Sequence, residues 1–467
     1  MKKAALHNLG CKVNAYELDV VQQILQENGF TIVPFDQKAD IYIVNTCTVT
    51  NIADRKSRQM LHRARMQNPR AVVAAIGCYV QTDLEKVEQD ECVDLAIGNN
   101  RKKDIAAILE GYLRERGLWQ EGDKSPEGVP AYETVVDVNH TAEYEEMTLK
   151  RTAGHTRAYI KVQDGCNQFC AYCIIPYARG RVRSRRMSDI LTEVEGLAVA
   201  GYREIVLTGI HISSYGIDFD DAAWQQGESV ELMLREDRRA YDGGPKLIGL
   251  VERLQQIPGL ERIRLGSLEP RIVTEEFADR LSRLDKVCPH FHLSLQSGCD
   301  AVLKRMNRRY TAGEYYRCVE ILRRFFDTPA VTTDVIVGFP GETEEEFRET
   351  VRFLEKVQFY EMHIFKYSRR RGTPADKMPG QLTEAEKGRR SGILLELEKR
   401  QSREFRSRYI GREADVLFED SREIGGHTYQ IGHTKDYVKV AVETQECLSN
   451  RVKKVFIHDF LTEEILF

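Results

Sequence analysis

Residues 162–185 read VQDGCNQFCAYCIIPYARGRVRSR. Cys166, Cys170 and Cys173 come just after YIKVQ, a run with the texture of a strand. Arg179, Arg181, Arg183, Arg185 and Arg186 follow, with no acid among them. A closed zinc site needs four protein ligands. A ferredoxin run supplies a further cysteine followed by proline. Here IIPYARG follows Cys173, with no fourth thiol. Three cysteines on a four-iron cluster would leave one iron open to a substrate or cofactor. On spacing alone, a zinc site completed by a remote histidine or cysteine stays as the alternative.

Outward from this stretch, the chain alternates strands and helices. RAYIKVQ, REIVLTG, RIRLGS, HFHLSLQ, VTTDVIVG and EMHIFKY predict six strands between residues 151 and 402, as an open or closed barrel or a doubly wound sheet. DFDDAAWQQGESVELMLREDRRAYDGG, from residue 218, breaks the rhythm as a charged insertion, an inserted lobe or mobile loop. Before this region, residues 1–115 predict a parallel α/β sheet from KAALHNLG, ADIYIVNT and AVVAAIG. Leu18, Val21, Ile24 and Leu25 share one face of the helix between the first two. Residues 116–150 read as a polar linker, with a candidate strand at ETVVDVN. Ile393, Leu397, Gln401, Phe405 and Tyr409 form a helical row at spacing four. From 403 to 467 the texture is that of a small antiparallel β-barrel, a size common among nucleic-acid modules.

Composition narrows the function classes. The 467 residues suit roughly three domains of about 150 each. A net charge of −4 confines any nucleic-acid surface to a local patch. The N-terminal apolar run is too short for a signal peptide, and no apolar stretch is long enough to span a membrane. The expected location is the cytoplasm, without a membrane partner. Eleven cysteines there are expected to be reduced, and an odd count cannot pair completely.

Cys11, Cys47 and Cys78, in NLGCKVN, VNTCTVT and AIGCYVQ, each follow a predicted strand. The carboxyl ends of parallel strands share one edge, where ligands bind. A second three-thiolate site is therefore expected there. Buried free cysteine is the plainer reading for each taken alone.

Cys-x-x-x-Cys-x-aromatic-Cys after the first strand of a (β/α) repeat resembles the radical S-adenosylmethionine superfamily. The resemblance implies a partial barrel and an open iron that chelates S-adenosylmethionine. It also implies a 5′-deoxyadenosyl radical for C–H bonds that acid–base chemistry cannot reach. Tyr172 would lie near the adenine. Ser294, Gln296 and Ser297, with Gly209 and the backbone at Val337 and Gly338, would line the cofactor pocket.

With NLGCKVN, NTCTV and GCY included, the sequence resembles the methylthiotransferases over essentially its full length. That family implies two [4Fe-4S] clusters, on Cys11, Cys47 and Cys78 and on Cys166, Cys170 and Cys173. S-adenosylmethionine serves as methyl donor and radical source, and a C-terminal TRAM module binds RNA. A sulfur source and a reducing electron donor are implied partners. LTGIHISSYGID, IRLGSLEP, HFHLSLQSGCDAVLKRMNRRY and HIFKYSRRRGTPA look like the branch acting on threonylcarbamoyladenosine beside the tRNA anticodon. The sister branches act on isopentenyladenosine or on an aspartate of ribosomal protein S12. A non-catalytic iron–sulfur RNA-binding protein is the alternative of another class. For RNA, Arg181, Arg183 and Arg185 are expected at phosphates, and His211, Ser213, Ser214 and Arg369 in the substrate pocket. Lys435, Tyr437 and Lys439 would form a local face in a C-terminal segment holding ten Lys/Arg and twelve Asp/Glu.

Overall fold

The computed structural model describes residues 2–118, 134–141, 143–152, 156–219 and 244–467. The insertion predicted from 218 lies almost entirely outside the described residues.

The first sheet contains β1 (Lys3–Asn8), β2 (Thr31–Val33), β3 (Ile41–Thr46), β4 (Val72–Gly77) and β5 (Leu95–Ile97). All pairs are parallel, in the order β2-β1-β3-β4-β5. The chain leaves β1 toward one edge and returns to its other side, so a topological switch lies between β1 and β3. β3 and β4 are buried throughout. The two three-residue strands were too short to read from sequence.

The central unit has β6 (Arg157–Asp164), β7 (Arg183–Ser184), β8 (Glu204–Gly209), β9 (Arg262–Leu265), β10 (His290–His292), β11 (Ala330–Val337) and β12 (Glu361–Lys366). β6, β8 and β9 pair in parallel, as do β10, β11 and β12. Single parallel bridges, Ile263 to Val287 and Leu268 to Leu293, join the two groups. The six predicted strands thus form an open partial barrel. Alternation sorts its two faces. Ala158, Ile160, Val162, Ile205, Leu207, Ile263, Leu265, Phe291, Val335 and Met362 pack outward in the main core. The intervening residues give the lumen a charged lining, including Lys161, Glu204, Arg264, His292 and Asp334.

The last sheet has β13 (Glu413–Ile424), β14 (His427–His433), β15 (Lys439–Glu443), β16 (Val452–Phe456) and β17 (Ile465–Leu466), in the order β16-β13-β14-β15-β17. It is antiparallel except for the parallel pair β15–β17. The helix before it runs Glu384–Ser407, so a boundary at 402/403 falls inside a continuous helix. Its buried row is Arg390, Leu394, Leu397, Gln401 and Phe405, while Ile393 is exposed. Strict spacing of four drifts off a face that repeats every 3.6 residues.

The three units are locked by buried charge. The helix Lys12–Glu27 buries Val20, Val21 and Leu25, and it also buries Asn14 and Glu17. Glu17 meets Lys161 of β6 at 2.8 Å, Arg179 at 2.8 Å, and Lys102. Asp164 meets Lys161 at 2.7 Å and Arg179 at 3.1 Å. The described residues of the expected linker, 134–141 and 143–152, pack against both neighbouring units, and ETVVDVN forms no strand in its described part. The Val136 carbonyl accepts from Gln81 (2.9 Å), Tyr144 donates to the Lys161 carbonyl (2.8 Å), and the Leu149 N–H donates to Glu193 (2.8 Å).

This network sets an acid limit. Burial pushes the Glu17 carboxyl up, but Arg179, Lys102 and Lys161 together hold it well below the carboxylate range. Burial likewise acts on Asp164, and Lys161, Arg179 and Arg183 overcome it. A depressed folded pKa stabilises above the unfolded value of about 4 and loses that stability as pH falls. Thermal unfolding between pH 6 and 3, followed by circular dichroism, should show Tm falling more steeply in wild type than in Glu17→Gln. Equal slopes would mean that the network does not govern acid stability.

Candidate functional site

Cys11, Cys47 and Cys78 stand directly beyond the ends of β1, β3 and β4, on the edge at the switch point. Cys11 is the N-cap residue of its helix, and Cys78 opens the short helix Cys78–Thr82. Cys47 and Cys78 are buried and Cys11 is exposed. A Cβ on Gly10 would stand 3.0 Å from the Cys47 sulfur, and its φ is +102°, so glycine at 10 lets the first loop close on the second cysteine. The Asn14 side-chain amide holds that loop, donating to the carbonyls of Leu9 (2.7 Å) and Thr46 (3.0 Å).

The second triad lies on the loop after β6. Gly165 has φ +70°, and a Cβ there would overlap the Arg181 carbonyl oxygen at 1.8 Å. Only glycine permits this turn into Cys166. The Cys166 N–H donates to the Gly180 carbonyl at 3.0 Å, and the Cys173 N–H to the Cys170 carbonyl at 2.9 Å. The loop is braced by Asn307, which donates to the Phe169 carbonyl at 2.9 Å.

Each triad has one arginine on one sulfur. Arg179 Nε lies 3.3 Å from Cys78 Sγ, and Arg308 Nη1 lies 3.3 Å from Cys170 Sγ. Around Glu17 and Asp164 gather Lys102, Lys161, Arg179 and Arg183, with Glu145 acting on Lys161. Arg179 is shared between these two carboxylates and the Cys78 sulfur. Among the described residues, no carboxylate comes within ion-pair distance of Arg308, which bonds Tyr310 and the Ser294 carbonyl. Burial first, and then the neighbouring thiols of each triad, push Cys47 and Cys173 up to about 12 against the pull of Arg179 and Arg308. Metal binding requires thiolate, and a guanidinium N–H at the sulfur favours it.

The spacing separates a cluster from a single ion. Zinc–sulfur bonds of about 2.3 Å place tetrahedral thiolates about 3.8 Å apart. Among the described residues, His62–Asp90–Cys92 and His292–Asp334–His363 are the three-donor groups with all ligand atoms within 4.8 Å of one another. Neither cysteine triad is so tight. Among the described residues, both triads are thus more widely spaced than one tetrahedral zinc ion needs.

The chain belongs to a known family, as its curated relatives establish. Residues 160–354 match the model of the radical SAM superfamily, and residues 3–98 match uncharacterized protein family UPF0004. The threonylcarbamoyladenosine tRNA methylthiotransferase MtaB of Bacillus subtilis (strain 168) is 37% identical over 98% of this chain and 94% of its own length. This is a radical SAM methylthiotransferase. The Aquifex aeolicus (strain VF5) relative of the same name is 38% identical over 89% of this chain and 92% of its own. A tRNA-2-methylthio-N(6)-dimethylallyladenosine synthase from Carboxydothermus hydrogenoformans is 33% identical over 96% and 94%. The radical SAM methyltransferase TsrM from Kitasatospora setae, bearing cobalamin and a [4Fe-4S] cluster, shares the fold: TM-score 0.53, 18% identity, 80% of this chain and 77% of that one. Methylthiotransferases use S-adenosylmethionine and carry two [4Fe-4S] clusters.

Several expected contacts fall elsewhere in this methylthiotransferase. Arg183 and Arg185 are 1% and 0% exposed. Arg183 bonds Asn100 (2.9 Å) and the Arg179 carbonyl (2.7 Å), and Arg185 bonds Glu193, Glu146 and Thr148. Arg181 lies over the Phe169 ring at 4.5 Å and reaches Asn139. These arginines staple protein units and have no face for phosphate. Arg369 is exposed and paired with Asp376 at 2.6 Å, whereas Arg370 is buried against Asp54 and Thr48 of the first unit.

The C-terminal residues are likewise occupied. The Tyr437 ring stacks on His433 at 4.6 Å and lies under Arg157 and Arg264, as a floor across the barrel. Lys435 donates to the Asp285 carbonyl, and Lys439 pairs with Glu464. The expected base-stacking role of Tyr437 gives way to packing.

Near Cys170, Ser294 contributes its carbonyl to Arg308 and Tyr310, and Gln296 (φ +73°) continues the strand edge. Tyr172 packs beside the buried group of Ala171, Met306, Phe339 and Tyr367. Ser297 is fully buried on Thr350, Val337 faces the core, and Lys387 covers Gly338. Those three hold the fold rather than offer a free wall. Gly209 packs against Gln163. His211 bonds Ser214 at 2.7 Å, and burial, with Arg308 and Arg271, pulls it down to about 3, so it is neutral at physiological pH. Ser213 accepts the Glu269 N–H at 2.9 Å. Arg308, inside the stretch HFHLSLQSGCDAVLKRMNRRY, is not singled out by sequence because its sulfur partner Cys170 lies 138 positions away.

Proposed function

We propose that this chain methylthiolates C2 of N6-threonylcarbamoyladenosine beside the tRNA anticodon, giving 2-methylthio-N6-threonylcarbamoyladenosine. The likeness to MtaB over almost the whole chain carries the reading. When bound, the clusters and S-adenosylmethionine supply the radical, the sulfur and the methyl group. Cys166, Cys170 and Cys173 would hold the radical cluster, with Arg308 stabilising thiolate at Cys170. Cys11, Cys47 and Cys78 would hold the cluster that carries sulfur, with Arg179 doing the same at Cys78. The reaction takes place in the cytoplasm and draws on a reducing electron donor and a sulfur source.

The barrel's own chemistry supports the branch. Threonylcarbamoyl carries a carboxylate and a hydroxyl, and isopentenyl carries neither. A lumen that presents polar groups such as His292, whose Nε2 makes no hydrogen bond, favours the former, because burying such groups against an apolar substrate leaves them unpaired. Mass spectrometry of tRNA nucleosides from a deletion strain carrying this chain should show the methylthiolated threonylcarbamoyl product restored. Restoration of the isopentenyl product, or of methylthiolated S12 with tRNA unchanged, would assign a sister branch.

A further inference from the structure

The lumen holds a second kind of donor set. His292 lies on β10, Asp334 on β11 and His363 on β12, three neighbouring parallel strands. Asp334 and His363 are register partners, and His292 pairs with Thr332, two residues before Asp334. All three side chains therefore project from the lumen face, opposite Val335, Met362 and Ile364 in the core.

Their ligand atoms all lie within 4.8 Å of one another. His292 Nε2 is 3.3 Å from Asp334 Oδ2. Metal bonds of about 2.1 Å need neighbouring ligands roughly 3.0–3.4 Å apart, so this pair is already placed. One ring nitrogen of His292 is already engaged. His292 Nδ1 is 3.0 Å from the Thr332 hydroxyl, which leaves Nε2 to face the group. That nitrogen is buried and makes no hydrogen bond. A histidine bonded through one ring nitrogen, with the other free, is how proteins orient a metal ligand. The His363 side chain is exposed, with freedom to close the set, and it borders a groove of about 560 Å³ between β12 and the helix Glu384–Ser407.

We propose that His292, Asp334 and His363 bind one divalent first-row metal ion in the barrel lumen, apart from both cysteine triads. Two imidazoles and one carboxylate on one side leave coordination positions open to water or a ligand oxygen. The site adjoins the reaction region, because the Gln296 N–H donates to the Asp334 carbonyl at 2.8 Å. The other compact group, His62–Asp90–Cys92, lies on the surface, with its histidine half exposed and already paired to Asp90.

The enzyme with both clusters reconstituted should be dialysed anaerobically against micromolar Zn²⁺, with zinc and iron counted in the same sample. One zinc per chain is expected beyond a full iron complement. Asp334→Asn and His363→Ala should lose it while iron stays unchanged, and His62→Ala should keep it. Thr332→Val, which removes only the hydroxyl on His292, should weaken zinc binding about 10–100-fold. No zinc in wild type overturns the proposal. So does zinc that persists in both Asp334→Asn and His363→Ala, or zinc that leaves with His62→Ala instead.

Discussion

Arg179→Met is expected to destabilise the protein by about 3–5 kcal/mol, the usual cost of removing one partner from a buried charge group. Arg179 is fully buried and contacts Glu17, Asp164, Asn14 and Cys78 at once. Methionine fills much of the volume but leaves Glu17 and Asp164 to the two lysines and Arg183. It also removes the guanidinium from Cys78. The reduction potential of the N-terminal cluster should fall, because hydrogen bonds to ligating sulfur stabilise the reduced state. Arg179→Lys should recover part of the stability but not the potential, since an ammonium cannot match the planar fork. Denaturant titration reads the first effect and redox-poised electron paramagnetic resonance the second. Wild-type values for both would show the arginine to be a spectator.

Changing Cys11, Cys47 and Cys78 together to alanine should abolish methylthio product while reductive cleavage of S-adenosylmethionine persists. The triads sit on different sheets, and the Cys166 loop is held by bonds within its own unit, to Gly180, Met306 and Asn307. Continued cleavage is also the internal control for folding, since Cys78 is buried beside Arg179. The converse variant, lacking Cys166, Cys170 and Cys173, should retain one cluster and lose cleavage. Full product from the first variant would remove the sulfur role from the N-terminal set. Loss of all iron from the second would reject two independent sites.

The six barrel strands, the three core strands of the first sheet and both cysteine triads could be read from sequence. Each rests on a short-range signal: a run of apolar residues, or a cysteine within three residues of a strand end. The arginines could not. Arg179 meets Glu17, and Arg185 meets Glu146 and Glu193, partners 162, 39 and 8 positions away. A local run of positive charge with no acid beside it looks like a phosphate surface until folding delivers acids from elsewhere. The His292, Asp334 and His363 set was equally hidden, because each residue looks ordinary within its own strand. Ile393 and Leu394 show the finer limit: one residue of phase along a helix decides which is buried.

The floor formed by Tyr437 has a consequence for how the enzyme could be rebuilt. Arg262 donates to the His433 and Asp415 carbonyls, Arg264 to the Lys435 carbonyl, and Arg157 pairs with Glu419. The last sixty residues are therefore not a detachable cassette. A chimaera that exchanged them between relatives would have to carry the matching β6 and β9 residues across, or leave arginines facing an unsealed lumen. The C-terminal module and the barrel are in this sense one inheritable unit, joined across their contact by these arginines as well as by the chain.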